Sequence, residues 1–274
     1  MRFIGEVSIH YSISANEYFN RDYSEHFDFD HHAGGDIYHA LKWAHQCKEK
    51  VDAVTVIEKG IRGKEIVMQI NEYAGNHSIF IDEKYHHIDM ISVNDLKTGK
   101  STLFLKQTEA QDTPVCLTES CRELPPAISV IAGFFACTRV LDGKKIIVLR
   151  EPLQDLNDAI IGDCVPVVTK ECIMRYVSTL SLWDACKEFH EIISRDFFLV
   201  SRQGAVYYTR GGEVVLYEPP EDVAVHDPAL AFGLLLGFAL QKADITDEII
   251  YSILQKMTEL RNDTGLQQKA PFFS

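Results

Sequence analysis

The strongest constraint on this chain is a rhythm. Short apolar runs of strand length alternate with segments whose apolar residues recur every three or four positions. "VDAVTVIE", "KKIIVLRE", "CVPVVT" and "RDFFLVSR" are apolar on consecutive residues, the pattern of a strand buried on both faces. "RFIGEVSIHY" and "ISVIAGFF" read as strands too. Between them, Ile37, Ala40, Leu41, Ala44 and Cys47 recur at helical spacing, which predicts an amphipathic helix over "GGDIYHALKWAHQC". "KEIVMQINEYAG" predicts a helix closed by Gly75. Leu182, Ala185, Cys186, Phe189, Ile192 and Ile193 form a further helical stripe. Strand–helix–strand alternation of this length predicts an α/β fold with a mostly parallel central sheet and helices on both faces.

Two segments break the rhythm. "DMISVNDLKTGKSTLFLKQ" alternates polar and apolar residues on both sides of a Lys-Thr-Gly turn, and "AVYYTRGGEVVLYEPP" does so around Gly211-Gly212; both read as antiparallel hairpins. There is no internal repeat and no Pro/Ser-rich linker. With 274 residues, 46% of them apolar, the chain is expected to form one domain over 1–274.

Charge and composition exclude several classes of function. A formal charge of −13 argues against nucleic acid, which is bound by clustered Lys and Arg. The longest apolar run, Ala229 to Leu240, is far shorter than the roughly 20 residues of a spanning helix. The first residues read as a strand and not as a secretory leader. Seven cysteines, an odd number without a CxxC pair, fit buried thiols in a reducing compartment. The expected location is the cytoplasm, away from membranes.

Local motifs carry little chemistry by themselves. "TGKST" ends like a phosphate loop, but Asn94 stands where the motif needs its first glycine, and strands flank the segment where a helix should follow. It reads as a hairpin turn. The adjacent pairs His31-His32 and His86-His87 suit no metal, because neighbours on a strand point to opposite faces; no metal site is expected. No His and carboxylate are aligned to activate a cysteine, and buried thiols are usually inert. "HDPALAFGLLLGFAL" begins with an Asp-Pro pair and ends as a core helix.

The order of elements resembles the PfkB-type, ribokinase-like carbohydrate kinases over nearly the whole length. "GEVSIH" is similar to the family's opening strand and "HHAGGDIYHALKWA" to its di-glycine segment and helix. The strands near 10–33 and 88–106 are similar to its small β lid. "RDFFLVSRQGAVYYTRGGEVVLYEPP" resembles the run before the family's anion-hole turn, and "HDPALAFGLLLGFALQKADITDEII" falls where the family keeps Gly-Ala-Gly-Asp. The resemblance implies a three-layer ribokinase-like fold.

The same resemblance shows what is missing. With the helix aligned on Gly233 and Gly237, Val225 and His226 replace the Gly-Ala of the hole and Pro228 stands at the position of the family's base. Asp227 lies one residue early. His10 stands where the opening strand carries a sugar-binding Asp. His39 stands where an Asn follows the retained Gly34-Gly35. "EKGIRG", residues 58 to 63, lacks the paired acids of the matching family segment. In "TKEC", Thr169 replaces the Asn that holds the metal-bound phosphates, and Glu171 remains. The implied substrate-binding positions are thus His10, Gly34, Gly35 and His39, with Thr169, Glu171 and His226 in the phosphate region. The expectation is a degenerate pseudokinase that binds a small sugar- or nucleoside-like ligand or a protein partner. The alternative is a divergent ATP- and Mg-dependent carbohydrate or nucleoside kinase with Asp227 as base. The lid strands imply a homodimer.

Overall fold

The buried runs become the strands of a nine-stranded sheet in the computed structural model, which describes residues 1–15, 27–86, 88–95, 100–105, 114–154 and 156–261. The first part of the chain holds β1 (Arg2–Ile4), β2 (Ser8–Ala15), β3 (Phe27–Gly34), α1 (Gly35–Gln46), β4 (Asp52–Glu58), α2 (Ile61–Asn71) and β5 (His77–Asp82). Then come β6 (Ile88–Asp95), β7 (Lys100–Leu105), α3 (Val115–Cys121), β8 (Ser129–Ile131), a 3₁₀ turn (Phe135–Arg139) and β9 (Lys145–Leu149). The rest consists of α4 (Leu156–Ala159), β10 (Cys164–Thr169), α5 (Lys170–Ile173), α6 (Leu182–Ile193), β11 (Phe197–Val200), β12 (Val206–Arg210), β13 (Glu213–Tyr217), α7 (Pro228–Leu240) and α8 (Asp247–Glu259).

The main sheet runs β13-β12-β11-β10-β9-β8-β1-β4-β5. From β5 to β11 every neighbouring pair is parallel; only the β12–β13 hairpin adds antiparallel strands at one edge. Successive side chains point to opposite faces, so β9 sends Ile146 and Val148 to one core and Ile147 and Leu149 to another. The first core is closed by α1, α2, α7 and α8, and the opposite face by α3, α4, α5 and α6. That is the predicted sheet with helices on both faces. A second sheet, β3-β2-β6-β7, is separate from it; of the segments 10–33 and 88–106 anticipated as lid strands, residues 16–26, 96–99 and 106 lie outside the described residues. Among the described residues, no helix is long and apolar enough to cross a membrane.

Several local expectations change. "RFIGEVSIHY" is not one strand: β1 ends at Ile4 and β2, in the other sheet, begins at Ser8. The α1 N-terminus forces the break, since the Ile37 amide donates to Glu6 O at 3.2 Å. Gly35, at φ +79°, lies so close that a Cβ would come within 2.8 Å of the Ser8 nitrogen. In "ISVIAGFF" only Ser129–Ile131 is strand. The chain leaves the sheet after it and passes Phe134 at φ +54°. α2 starts at Ile61, and Gly75 does not close it; its amide bonds Val51 O instead. β5, which the apolar pattern does not single out, is an edge strand with Ile81 62% exposed. The 88–105 hairpin pairs Asp95 with Lys100, while its turn at 96–99 and His87 lie outside the described residues.

Candidate functional site

In open α/β sheets, ligands bind outside the carboxyl ends of the strands where the strand order reverses. Here the reversal is at β1, flanked by β4 on one side and β8 on the other. The segments leaving β1, β8, β9 and β10 therefore define the crevice, and α7 points its N-terminus at it. A cleft of about 290 Å³ opens on the β9 side of that reversal, beyond the ends of β9, β10 and β11 and at the start of α7, lined by residues that include Arg150, Glu171, Arg202, His226 and Asp227.

Arg150, the first residue after β9, sits at the centre. Its guanidinium grips Asp36 with two bonds, Nη1 to Oδ1 at 2.7 Å and Nη2 to Oδ2 at 2.5 Å. Nη1 also donates to Asp227 Oδ2 at 3.2 Å, and Nη2 to the Ala132 carbonyl at 3.1 Å. A bidentate fork of this kind is among the strongest polar contacts a side chain makes. Burial works against the Arg150 charge, but Asp36 and Asp227 outweigh it and hold the guanidinium above its ordinary pKa. Burial raises the Asp36 carboxyl against the pull of Arg150. Glu6, just past β1, is raised as well, by burial and then by the neighbouring Asp36 charge.

Asp227 caps α7. Its Oδ1 accepts from the Leu230 amide at 2.9 Å, and Pro228 takes the first helical turn, where its missing N–H costs nothing. Each carboxylate oxygen thus accepts one hydrogen bond, one from the helix and one from Arg150. Thr169 caps α5 by accepting from the Cys172 amide at 3.3 Å, and its hydroxyl donates to Arg150 O at 2.9 Å. Glu171 pairs with Arg202 at 2.6 Å on the cleft rim. With the two side chains 48% and 81% exposed, that pair adds little stability.

Thr169, Glu171 and His226, assigned from the sequence to a phosphate region, and Asp227, the candidate base, line one cleft. His10, His39 and His226 meet as rings beside it, together with Trp43. Gly34 and Gly35 serve the backbone: Gly34 leaves room for the His10 ring and Gly35 takes the positive φ before α1. Among the described residues, no three His, Cys, Asp or Glu side chains come together as a metal site. Arg150, Asp36 and Glu6 were missed by sequence reasoning. Their signal was positional, because Glu6 and Arg150 are polar residues directly beyond parallel strand runs and Asp36 directly follows the di-glycine.

The strand order, the crevice and the second sheet together are those of the ribokinase-like fold. Thermotoga maritima ribokinase is similar over 92% of this chain and 89% of its own, with a TM-score of 0.67 and 14% identity. Giardia lamblia ribokinase matches at a TM-score of 0.69 and 8% identity, covering 92% and 91% of the two chains. Escherichia coli phosphofructokinase-2, solved with fructose-6-phosphate, matches at 0.70 and 12%, covering 94% and 98%. At such identities the likeness establishes the fold. No protein-family model matches the sequence, and no curated protein is detectably similar to it.

Proposed function

We propose that this protein is a ribokinase-like pseudokinase: it holds a small sugar- or nucleoside-like ligand, or a protein partner, in its crevice and does not transfer phosphate from ATP. The observation that carries this reading is the commitment of Asp227. A general base must be able to turn a lone pair to the acceptor hydroxyl, whereas Asp227 is fixed in orientation as the cap of α7, with one oxygen on the Leu230 amide and the other on Arg150, so that turning it would break both bonds. Pro228 removes an amide donor from a turn that would otherwise stabilise developing phosphoryl charge. Loss of a positioned base typically lowers turnover by about 10²- to 10⁴-fold, and loss of one charge-stabilising donor by about 10²- to 10³-fold. The larger of these losses, about 10⁴-fold, takes an ordinary kinase near assay background.

A second reading keeps a foothold, because Asp227 lines the cleft beside Glu171 and Arg202. In that reading Arg150 swings away and Asp227 becomes the base of a divergent kinase using ATP and Mg. An ADP-release assay with common sugars and nucleosides, run beside a melting screen of the same compounds, separates the two. The pseudokinase reading expects no turnover, and a melting rise of several degrees for a ligand present at about a hundred times its Kd. Appreciable turnover in the wild type that Asp227→Asn abolishes would establish the kinase instead.

A further inference from the structure

At the end of the sheet opposite the crevice, two cations stand together without an acid between them. Lys145 opens β9 and Cys164 opens β10, and the two are register partners. Alternation puts Lys145 on the face of β9 that carries Ile147 and Leu149, and only 6% of the residue is exposed. Arg195, just past α6, reaches the same place. Its Nη1 donates to Gly162 O at 3.1 Å and to Cys164 Sγ at 2.8 Å, and its Nε is buried without a hydrogen-bond partner. Among the described residues, neither the Lys145 ammonium nor the Arg195 guanidinium is in a salt bridge. Asp163, next to Gly162, is exposed and pairs with neither. Burial keeps the Cys164 thiol above its ordinary pKa in spite of both cations, so it supplies no counter-charge.

We propose that Lys145 and Arg195 form a binding site for a small oxyanion of the phosphate class, which enters beside Gly162. A buried charge is costly unless it is paired, and an apolar side chain would fill the Lys145 position against Ile147 and its neighbours at no such cost. A counter-ion from outside resolves the conflict. The way in is open: Gly162 has φ +70°, and a Cβ placed on it would meet the Lys145 Nζ at 3.4 Å and no other atom within 4 Å. Two cations reaching one turn from β9 and from the end of α6 suit a doubly charged oxyanion, and Arg195 adds a planar fork that matches phosphate geometry. The chain carries a formal charge of −13, which repels anions in general, so an anion held here is held by these two groups. The site is independent of whether the crevice transfers phosphate.

Melting in inorganic phosphate tests the site. At about 20 mM, phosphate should raise the melting temperature by about 3 °C or more over chloride of equal ionic strength. Lys145→Met should lose that difference, whereas Arg202→Gln, on the crevice rim, should keep it. General salting-out by phosphate acts on all three proteins alike. Glycerol phosphate in place of phosphate separates the two sources of the ion: an equal rise assigns the site to monoesters, no rise to the free ion. In buffer without oxyanions Lys145→Met should melt no lower than the wild type, because an unpaired buried charge has gone. A phosphate shift that survives Lys145→Met, or that Arg202→Gln removes, would overturn the site. So would a Lys145→Met protein that melts well below the wild type in that buffer, since Lys145 would then be structural. If Lys145→Met does not fold, the wild type decides alone. Acetylation of Lys145, read by peptide mass spectrometry against Lys144, should slow at least about threefold in phosphate, and an unchanged rate overturns the proposal.

Discussion

Arg150 makes four hydrogen bonds to Asp36, Asp227 and the Ala132 carbonyl, joining α1, α7 and the end of β8 through one side chain. Replacing it by Met keeps the apolar stem but leaves two carboxylates unpaired, with Asp36 only 11% and Asp227 14% exposed. Breaking a fully buried pair costs about 3–5 kcal/mol. Arg150 keeps 36% of its side chain in water, so solvent screening brings the expected loss nearer 2 kcal/mol. For a domain of this order that is a fall in melting temperature of roughly 4–8 °C, read by calorimetry. Glu6 behaves in the opposite sense. Its folded pKa is raised by burial and by Asp36, so the ionised form costs stability above the ordinary glutamate range. Glu6→Gln should therefore gain stability over the wild type as pH rises from about 4.5 towards 7, with the difference vanishing in acid. A gain independent of pH would show that Glu6 is not a strained carboxylate. At this scale the sequence exposed Asp227, His10, His39 and His226 as departures from a known pattern. It hid Arg150, because an arginine after a strand is ordinary until its partner, 114 positions away, folds against it.

α7 shows what an element adds. Every residue from Pro228 to Phe238 is buried, so the helix carries no polar stripe and runs through the core between sheet, α1 and α8. Its glycines let it lie close on the sheet: a Cβ on Gly233 would come within 2.6 Å of Val148 Cγ2. Two effects compete in Gly233→Ala. Alanine gains roughly 0.5–1 kcal/mol of helix stability over glycine, while overpacking beside a fully buried valine costs about 1–3 kcal/mol. The steric term should win, and urea unfolding should report a net loss of about 1 kcal/mol or more; a stabilised variant would mean that β9 yields easily. The existence of α1, α6 and α7 was legible from their apolar spacing, and the strands from their runs. Boundaries were not. The backbone contacts that end β1 at Ile4 and turn the chain after Ile131 come from neighbouring elements and leave only a scatter of polar residues in the sequence.

For the molecule as a whole, the second sheet raises the question of assembly. β3 and β7 are its outer strands, and unpaired strand edges invite association. Sedimentation at micromolar concentration is expected to show a dimer joined through this sheet; a strict monomer at that concentration would remove the dimer from the account. By itself the sequence determined the class of the fold, because strands buried on both faces and separated by amphipathic helices can satisfy their backbone and bury their apolar faces only around a parallel sheet. It also supplied the Asp-Pro pair that starts α7 at the cleft, Asp227 and Pro228. Only the tertiary structure decided what those side chains do. Periodicity records which face a residue shares with its near neighbours. The meeting of Arg150 with Asp36 and Asp227, and of His10 with His39 and His226, depends on strand order and crossovers that bring distant segments together, and no local pattern encodes those distances.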